Sequence, residues 1–244
     1  MPAKLLGKNS PHWKQLLQLD RPAVRRDLGL FLAEGPKLLP EALRGHHRVR
    51  ELIYDPERFS QVPSGLNCWQ VSSEMLDRLS DAHQGVVAVM EARPWPACTE
   101  YSPLVVCDGL SDPGNLGTLM RTAWATGVAG LVCLGGVDLY NSKVVRASAG
   151  AVFHLPSYRL DDLSVLAEYT LIGLEPRAGT DLYRFLWPER WGLVVGNEAH
   201  GLSVATRQRL GMRCTIPMEP GCESLNAATS VAVVLFEWRR QRRG

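Results

Sequence analysis

The sequence of 244 residues has no uninterrupted apolar run long enough to cross a bilayer, which takes about 18 to 20 residues. Its first residues, MPAKLLGKNSPHWKQL, lack the apolar core of a secretory signal peptide. Neither sign of charge dominates, since 27 lysines and arginines face 25 aspartates and glutamates. These absences predict a soluble, cytoplasmic protein without a membrane partner, and the net charge of +2 does not by itself indicate nucleic acid.

The sequence also lacks the usual patterns of metal sites and disulfide frameworks. Its six cysteines form no C-x-x-C pair and share no zinc-type spacing with histidine. Several lie in apolar runs, so we expect reduced thiols that pack as small hydrophobic side chains, and no metal site.

Two nucleotide-binding signatures are missing. No G-x-G-x-x-G stands at the first strand-to-helix turn of the second half, and no G-x-x-x-x-G-K-[ST] occurs. The backbone cradle that these motifs provide for phosphates is therefore absent. This disfavours a hydride-transfer enzyme and a P-loop NTPase.

The first half of the sequence alternates short apolar strands with helical patterns. Between residues 28 and 92, strand-like stretches such as LGLFLAEG and GVVAVMEA flank helical ones such as PKLLPEALRG. The segment ARPWPACTEYSP follows, and its three prolines interrupt any regular structure. We therefore predict a small N-terminal α/β domain with its linker over residues 1–97 and a second domain over residues 98–244.

The second half contains strands that are apolar at nearly every position. They read PLVVCDG, GLVCLGG, AVFHLP, TLIGLEP, GLVVGN and CTIPM. Such strands are buried on both faces, as in a parallel sheet covered by helices. The prediction is a doubly wound α/β domain with a parallel sheet.

Polar residues stand out in the loops that follow these strands, where open parallel sheets bind their ligands. They are Asn115, Arg121, Glu198, Ser224 and Asn226. Each has a plain structural explanation taken singly, as a helix cap, a solvent-facing helical residue or an ion-pair partner. Their joint occurrence after strands of one sheet favours a common functional site.

Three stretches resemble the motifs of one known family, in its order and spacing. They are DPGNLGTLMRTAWATG, LVVGNEAHGLS and IPMEPGCESLNAATSVAVVLFEW. They are similar to the motifs of the SpoU (TrmH-type) RNA 2′-O-ribose methyltransferases of the SPOUT superfamily, and the linking segment LYNSKVVRASAGAVFHLP fits as well. The likeness covers most of the chain.

This resemblance implies a deep trefoil knot in the C-terminal domain, which periodicity cannot reveal. It also implies a homodimer that builds the active sites jointly, and S-adenosylmethionine bound in a bent pose by the backbone of the knot. The donor-binding residues implied are Leu174, Gly196, Ile216, Ser224, Leu225 and Ala227.

The resemblance further assigns catalytic roles. It places Arg121 near the attacking ribose hydroxyl, with Asn115, Glu198, Ser224 and Asn226 shaping the pocket and no metal required. Arg121 could take up a proton or could orient an RNA phosphate and stabilise the alkoxide, and the sequence leaves both roles open.

The N-terminal part resembles the RNA-binding extension of the family, most clearly in FLAEGPKLLPEAL. The implied RNA contacts are Glu34 and Lys37 in that stretch, with Lys143 and Arg146 in the segment after LYNS; a charged helix face is the alternative for the last two. An extension of this kind favours large-subunit (23S) ribosomal RNA as substrate. Transfer RNA, or a non-catalytic RNA-binding paralogue, are the alternatives.

Overall fold

The computed structural model describes residues 4–243, without the side chain of Arg243. Its contacts divide the chain into two units. The first comprises Met1–Pro94 and Tyr140–His154, and the second comprises Trp95–Leu139 and Leu155–Gly244. The break after Pro94 lies close to the boundary predicted near residue 97. The assignment of Tyr140–His154 to the first unit was not predicted from the sequence.

The first unit holds a mixed five-stranded sheet of order β1-β4-β3-β5-β2. Its strands are β1 (Lys4–Leu5), β2 (Leu30–Glu34), β3 (Arg48–Tyr54), β4 (Cys68–Gln70) and β5 (Val86–Glu91). Its helices from the first ninety residues are α1 (Pro11–Leu17), α2 (Pro22–Leu28), α3 (Leu39–Arg44) and α4 (Ser73–Leu79). β5 pairs antiparallel with both β2 and β3.

Helix α1 has a clear start signal and one buried face. The Ser10 side chain accepts a hydrogen bond from the Trp13 amide at 3.2 Å, and Pro11 occupies the first helical position. The helix then buries Trp13 and Leu16 against the apolar face of the sheet, which includes Ile53.

The second unit holds a seven-stranded sheet of order β10-β12-β9-β11-β6-β7-β8. Its strands are β6 (Leu104–Asp108), β7 (Gly130–Leu134), β8 (Ser157–Leu160), β9 (Thr170–Leu174), β10 (Thr180–Asp181), β11 (Trp191–Gly196) and β12 (Met212–Thr215). The helices from residue 113 on are α5 (Pro113–Thr126), α6 (Ser142–Ala147), α7 (Val204–Gln208) and α8 (Ala227–Arg243). Every strand pair in this sheet is parallel, which confirms the predicted parallel sheet.

Helix α6 lies in Tyr140–His154 and packs on β2 of the first unit. In the same segment, the apolar run AVFHLP was predicted as a strand, and that prediction is wrong. Ala151–Phe153 forms a 3₁₀ turn, and β8 begins only at Ser157. The run is apolar because the turn is buried: Phe153 is fully enclosed and stacks on Phe31 at a ring-centroid distance of 6.4 Å.

All six cysteines are free, and all are buried except Cys222. Among the described residues, no helix combines the length and the apolar character needed to cross a membrane.

Candidate active site

Four loops meet at one edge of the seven-stranded sheet, because its strands run parallel and their carboxyl ends lie on the same side. These loops follow β6, β9, β11 and β12. They carry most of the polar residues singled out from the sequence, so this edge is the candidate site.

Glu198, after β11, accepts hydrogen bonds from two residues that follow β6. Its Oε1 accepts from Asn115 Nδ2 at 2.9 Å, and its Oε2 accepts from the Ser111 hydroxyl at 3.1 Å and the Ser111 amide at 3.3 Å. Asn115 Oδ1 in turn accepts from Asn226 Nδ2 at 2.9 Å. Asn115, Glu198 and Asn226 thus form one hydrogen-bonded chain across three loops.

Local helix chemistry places the two asparagines. Asp112 caps α5 by accepting from the Asn115 amide at 2.6 Å, which fixes Asn115 in the first turn. Asn226 caps α8, because its Oδ1 accepts from the amides of Ala228 at 2.9 Å and Thr229 at 3.2 Å. Its Nδ2 atom remains free to donate to Asn115 Oδ1. One residue therefore ends the loop, starts the helix and joins the polar chain.

The environment keeps Glu198 ionised near neutral pH. Burial by itself raises the pKa of this carboxyl, but the hydrogen bonds from Asn115 and Ser111 outweigh burial, and the pKa lies below its ordinary value. A carboxylate of low pKa whose two oxygens already accept hydrogen bonds orients its partners and is poorly suited to take up a proton.

A cavity of about 470 Å³ opens beside this chain. It is lined by all six residues that the sequence predicted as donor-binding: Leu174, Gly196, Ile216, Ser224, Leu225 and Ala227. Glu198 and Asn226 also line it, so the polar chain borders the cavity. The volume falls in the range of sites for small ligands, and the walls are mainly apolar side chains and backbone.

Gly196, the last residue of β11, lies where the loop after β11 folds back against the strand end. A Cβ built there would overlap the backbone of Gly201 and Leu202. The loop closes on itself because the amides and carbonyls of Asn197 and Gly201 bond reciprocally, at 3.0 and 2.9 Å. Only a glycine permits this approach at the cavity wall.

Sequence reasoning missed three residues at this edge. Asn197 donates from Nδ2 to the Gly109 carbonyl at 2.8 Å and so joins the loops after β11 and β6. Glu175 is a buried carboxylate on the cavity wall, and Arg207 bonds to it at 3.2 Å. The position of Glu175 directly after the apolar strand TLIGL was a usable signal, but the distant Arg207 had none.

Arg121 does not line this cavity. It lies on α5, six residues after Asn115, which corresponds to about 120° around the helix axis. Its side chain is exposed. Within one chain, the structure therefore brings Glu198, Ser224 and Asn226 to the cavity wall and Asn115 into hydrogen bonds with two of them, while Arg121 does not line the cavity.

The four residues predicted to contact RNA fall in the first unit, and two of them bond to each other. Glu34 is buried at the end of β2, and its carboxylate accepts from the Arg146 guanidinium on α6. Glu34 therefore serves as the partner of Arg146, which argues against the direct RNA contact predicted for it. Lys37 and Lys143 are exposed, and their contact with RNA stays a prediction.

Within the described part of the chain, no group of three or more histidine, cysteine, aspartate or glutamate residues is arranged to hold a metal ion.

Comparison with known proteins gives two matches to family profiles. Residues 102–236 match the SpoU rRNA Methylase family, and residues 10–88 match the MRM3-like substrate binding domain. The chain is 30% identical over 237 residues to the 23S rRNA (guanosine(2553)-2′-O)-methyltransferase RlmP of Bacillus subtilis, with 93% of this chain and 94% of that protein covered.

Solved structures agree with these matches. The SpoU methyltransferase AviRb from Streptomyces viridochromogenes, in complex with the cofactor AdoMet, superposes with a TM-score of 0.85 at 27% identity, covering 97% of this chain and 99% of that one. An AdoMet-bound rRNA methyltransferase from Sinorhizobium meliloti superposes with a TM-score of 0.84 at 27% identity, covering 98% and 97%.

Proposed function

This chain belongs to the SpoU rRNA Methylase family, and we propose that it transfers a methyl group from S-adenosylmethionine to a ribose 2′-hydroxyl of large-subunit ribosomal RNA. The observation that carries the proposal is the cavity at the sheet edge, bordered by the hydrogen-bonded chain of Asn115, Glu198 and Asn226. The named activity of the Bacillus relative and the cofactor bound in the Streptomyces structure support it.

The residues present fit S-adenosylmethionine. The cavity of about 470 Å³ has apolar walls from Leu174, Ile216 and Leu225, which suit an adenine ring and the methylene groups of the methionine chain. The polar atoms of Ser224 and Asn226 line it as well. When bound, the donor supplies a methyl group on a sulfonium, which an alcohol can take by in-line displacement without a metal.

The protein has two tasks in such a displacement, which are to align the hydroxyl and to accommodate its proton. Glu198 holds Asn115, and Asn115 holds Asn226, so the mouth of the cavity is ordered before RNA arrives. We assign Arg121 to the attacking hydroxyl, where its fork of donors can bind a neighbouring phosphate and stabilise the developing alkoxide.

Because Arg121 is exposed and does not line the cavity of its own chain, we propose that it serves the cavity of another chain. A homodimer meets this requirement, and the surface around Arg121 supports one. Trp124 on α5 is 41% exposed and Phe236 on α8 is 55% exposed, which is unusual for large apolar side chains on two packed helices. We propose that these helices form the dimer interface and that each active site takes Arg121 from the partner subunit.

Three finer features belong to the same proposal. We infer a trefoil knot in the loops after β11 and β12, supported by the family resemblance and by the high TM-scores to SpoU structures. We infer that residues 1–97 form an RNA-binding domain, supported by the match to a substrate binding domain, and that residues 98–244 form the methyltransferase domain. We also place the enzyme in the cytoplasm, where a ribosomal RNA substrate would be made.

The test is transfer of tritiated methyl groups to unmodified RNA by the purified full-length protein. We expect incorporation into 23S ribosomal RNA and none into transfer RNA. Incorporation into transfer RNA alone would favour the second candidate substrate. No incorporation into either, with donor binding intact, would favour a protein that only holds RNA.

A further inference from the structure

A second large cavity lies in the first unit and is lined by none of the residues that line the cavity at the sheet edge. Its volume is about 680 Å³. Three arginines line it, Arg48 and Arg50 from β3 and Arg93 just after β5, and we name it the arginine cleft. Its remaining walls come from α3, from the segment that follows α3 and from residues 65–67.

The strand geometry brings the arginines together. Arg48 and Arg50 on β3 are both exposed, whereas Val49 and Glu51 are buried. The pairing of β3 with β5 shifts between Val49 and Glu51, which sets Arg50 outside the regular ladder, as in a bulge. Bulges commonly redirect side chains at functional surfaces.

Arg93 is fixed by a buried histidine. Its backbone amide donates to His47 Nδ1 at 3.1 Å, so that nitrogen must be unprotonated. His47 lines the cleft and is almost fully buried. Its pKa is lowered to about 4, first by burial and then by the positive charges of His46 and Arg93, which agrees with a positive potential at this place.

The positive charge of the cleft is largely uncompensated. Glu91 approaches Arg48 only at 4.0 Å, and Glu41 bonds to Arg44 and His154. Among the described residues, no carboxylate lies within ion-pair distance of Arg50 or Arg93. All three cleft arginines are exposed to solvent.

We propose that the arginine cleft binds the phosphodiester backbone of the RNA substrate, an inference that rests on the proposed function. Guanidinium forks bind phosphate oxygens in pairs, and three of them line this one cleft. The exposed lining has no aromatic ring on which a base could stack, so the cleft suits the sugar-phosphate chain and not splayed bases. It therefore positions the RNA without reading its sequence.

The test compares two triple variants of the full chain. The cleft variant carries Arg48→Gln, Arg50→Gln and Arg93→Gln. The control carries Arg21→Gln, Arg26→Gln and Arg78→Gln, which removes the same charge from exposed arginines of the same unit outside the cleft. Binding of a labelled 23S ribosomal RNA transcript is measured by filter retention over a range of salt concentrations.

We expect the cleft variant to bind RNA at least about tenfold more weakly, and its salt dependence to fall by about two to three counterions. The control should stay close to the wild-type protein. Equal weakening of both variants, or of neither, would overturn the inference. The second outcome would leave the cleft open to another partner, such as an acidic protein surface.

Donor binding and methyl transfer separate this inference from the proposed function. The cleft variant should bind S-adenosylmethionine as the wild-type protein does and should transfer methyl groups with a raised KM for RNA and a nearly unchanged kcat. If the wild-type protein binds RNA through the cleft but transfers no methyl group, the proposed function is wrong and the inference about the cleft is retained. If transfer occurs and the cleft variant matches the control, the cleft inference fails alone.

Chemical protection of the wild-type protein gives a measurement that needs no variant. Phenylglyoxal modifies exposed arginines, and mass spectrometry locates the adducts. RNA should protect Arg48, Arg50 and Arg93 and leave Arg21 and Arg78 reactive. If Arg48, Arg50 and Arg93 react equally with and without RNA, the proposal is contradicted, even if a triple variant fails to fold.

Discussion

Arg121 is the residue on which the chemistry of the proposal depends most. Arg121→Ala should lower methyl transfer on the order of 10²-fold or more, because a charged group acting mainly in the transition state is lost. Donor affinity should be nearly unchanged, since the donor is assigned to the residues that line the cavity and Arg121 to the hydroxyl and phosphate of the RNA. A tritium-transfer assay beside calorimetry with S-adenosylmethionine measures both quantities, and a variant with wild-type turnover would place the chemistry elsewhere.

Arg121→Lys separates the two roles proposed for this side chain. Lysine keeps the charge and loses its proton more easily, but it cannot form a bidentate contact with phosphate. Activity that returns and rises with pH would favour proton acceptance by this residue. A lysine variant that is inactive at every pH would favour orientation by the guanidinium fork.

His47 gives a prediction about stability. Its pKa is lowered to about 4 in the folded protein, whereas histidine in an unfolded chain titrates near 6.5. The folded state therefore binds fewer protons between these values. The stability gained from neutral His47 is fully present above pH 6.5 and is lost as the pH falls toward 4, on the order of 3 kcal/mol in all.

Urea unfolding followed by circular dichroism at about pH 7 and about pH 5 tests this effect within the titration range of histidine. The wild-type protein should lose more stability on acidification than His47→Gln, which cannot take up a proton. An equal loss in both proteins would show that other groups cause the pH dependence.

At the scale of elements, most strands could be predicted because burial on both faces leaves a continuous apolar run. The strands β6, β7, β9 and β11 follow this rule. The run AVFHLP obeyed the same pattern and is a buried turn, since periodicity reports burial and not the backbone conformation that achieves it. The two-residue strands β1 and β10 are too short to leave any pattern.

The candidate site was predictable to the extent that its residues follow strands. The polar chain does so, and the six residues that the family resemblance implies for donor binding lie at or after the ends of strands and line one cavity. The pair of Glu34 and Arg146 could not be foreseen, because the two residues are separated by 112 positions and neither has a distinctive neighbourhood. The spacing between Asn115 and Arg121 does indicate that they face different ways, because six residues correspond to about 120° around the axis of α5.

The start of α8 provides a prediction on an element. Asn226→Ala removes the cap and the bond to Asn115 together, so we expect a loss of about 1 kcal/mol or more. This corresponds to a fall of roughly 2–4 °C in Tm for a protein of this size. Ser224→Ala, at an exposed position two residues earlier, is the control for stability and should melt close to the wild-type protein. Equal melting of both variants would mean that the cap contributes little.

At the scale of the whole molecule, the proposed homodimer depends on the exposed apolar side chains on α5 and α8. Phe236→Asp should convert a dimer to a monomer, because a carboxylate at an apolar interface is costly to desolvate. Leu186→Asp changes another side chain, which is 83% exposed, and should leave the dimer intact. Light scattering at micromolar concentration distinguishes the two states, and a wild-type monomer with full activity would refute the shared active site.

The segment Tyr140–His154 limits how the chain can be divided. It belongs by its contacts to the first unit, although it lies in sequence between β7 and β8 of the second. Phe31 of β2 stacks on Tyr140 at a centroid distance of 4.3 Å, and Arg146 bonds to Glu34. A fragment beginning near Tyr101 would lose these partners, so functional tests belong on the full-length protein.

The most direct measurement of the central claim maps the modified nucleotide. A 2′-O-methyl group removes the nucleophile that alkali needs to cleave RNA at that position. Unmodified 23S ribosomal RNA is incubated with the full-length protein and S-adenosylmethionine, hydrolysed in alkali and resolved to single nucleotides. The account predicts one missing band that returns when the donor is omitted or Arg121 is replaced by alanine. An unchanged ladder, with donor and RNA both bound, would contradict it.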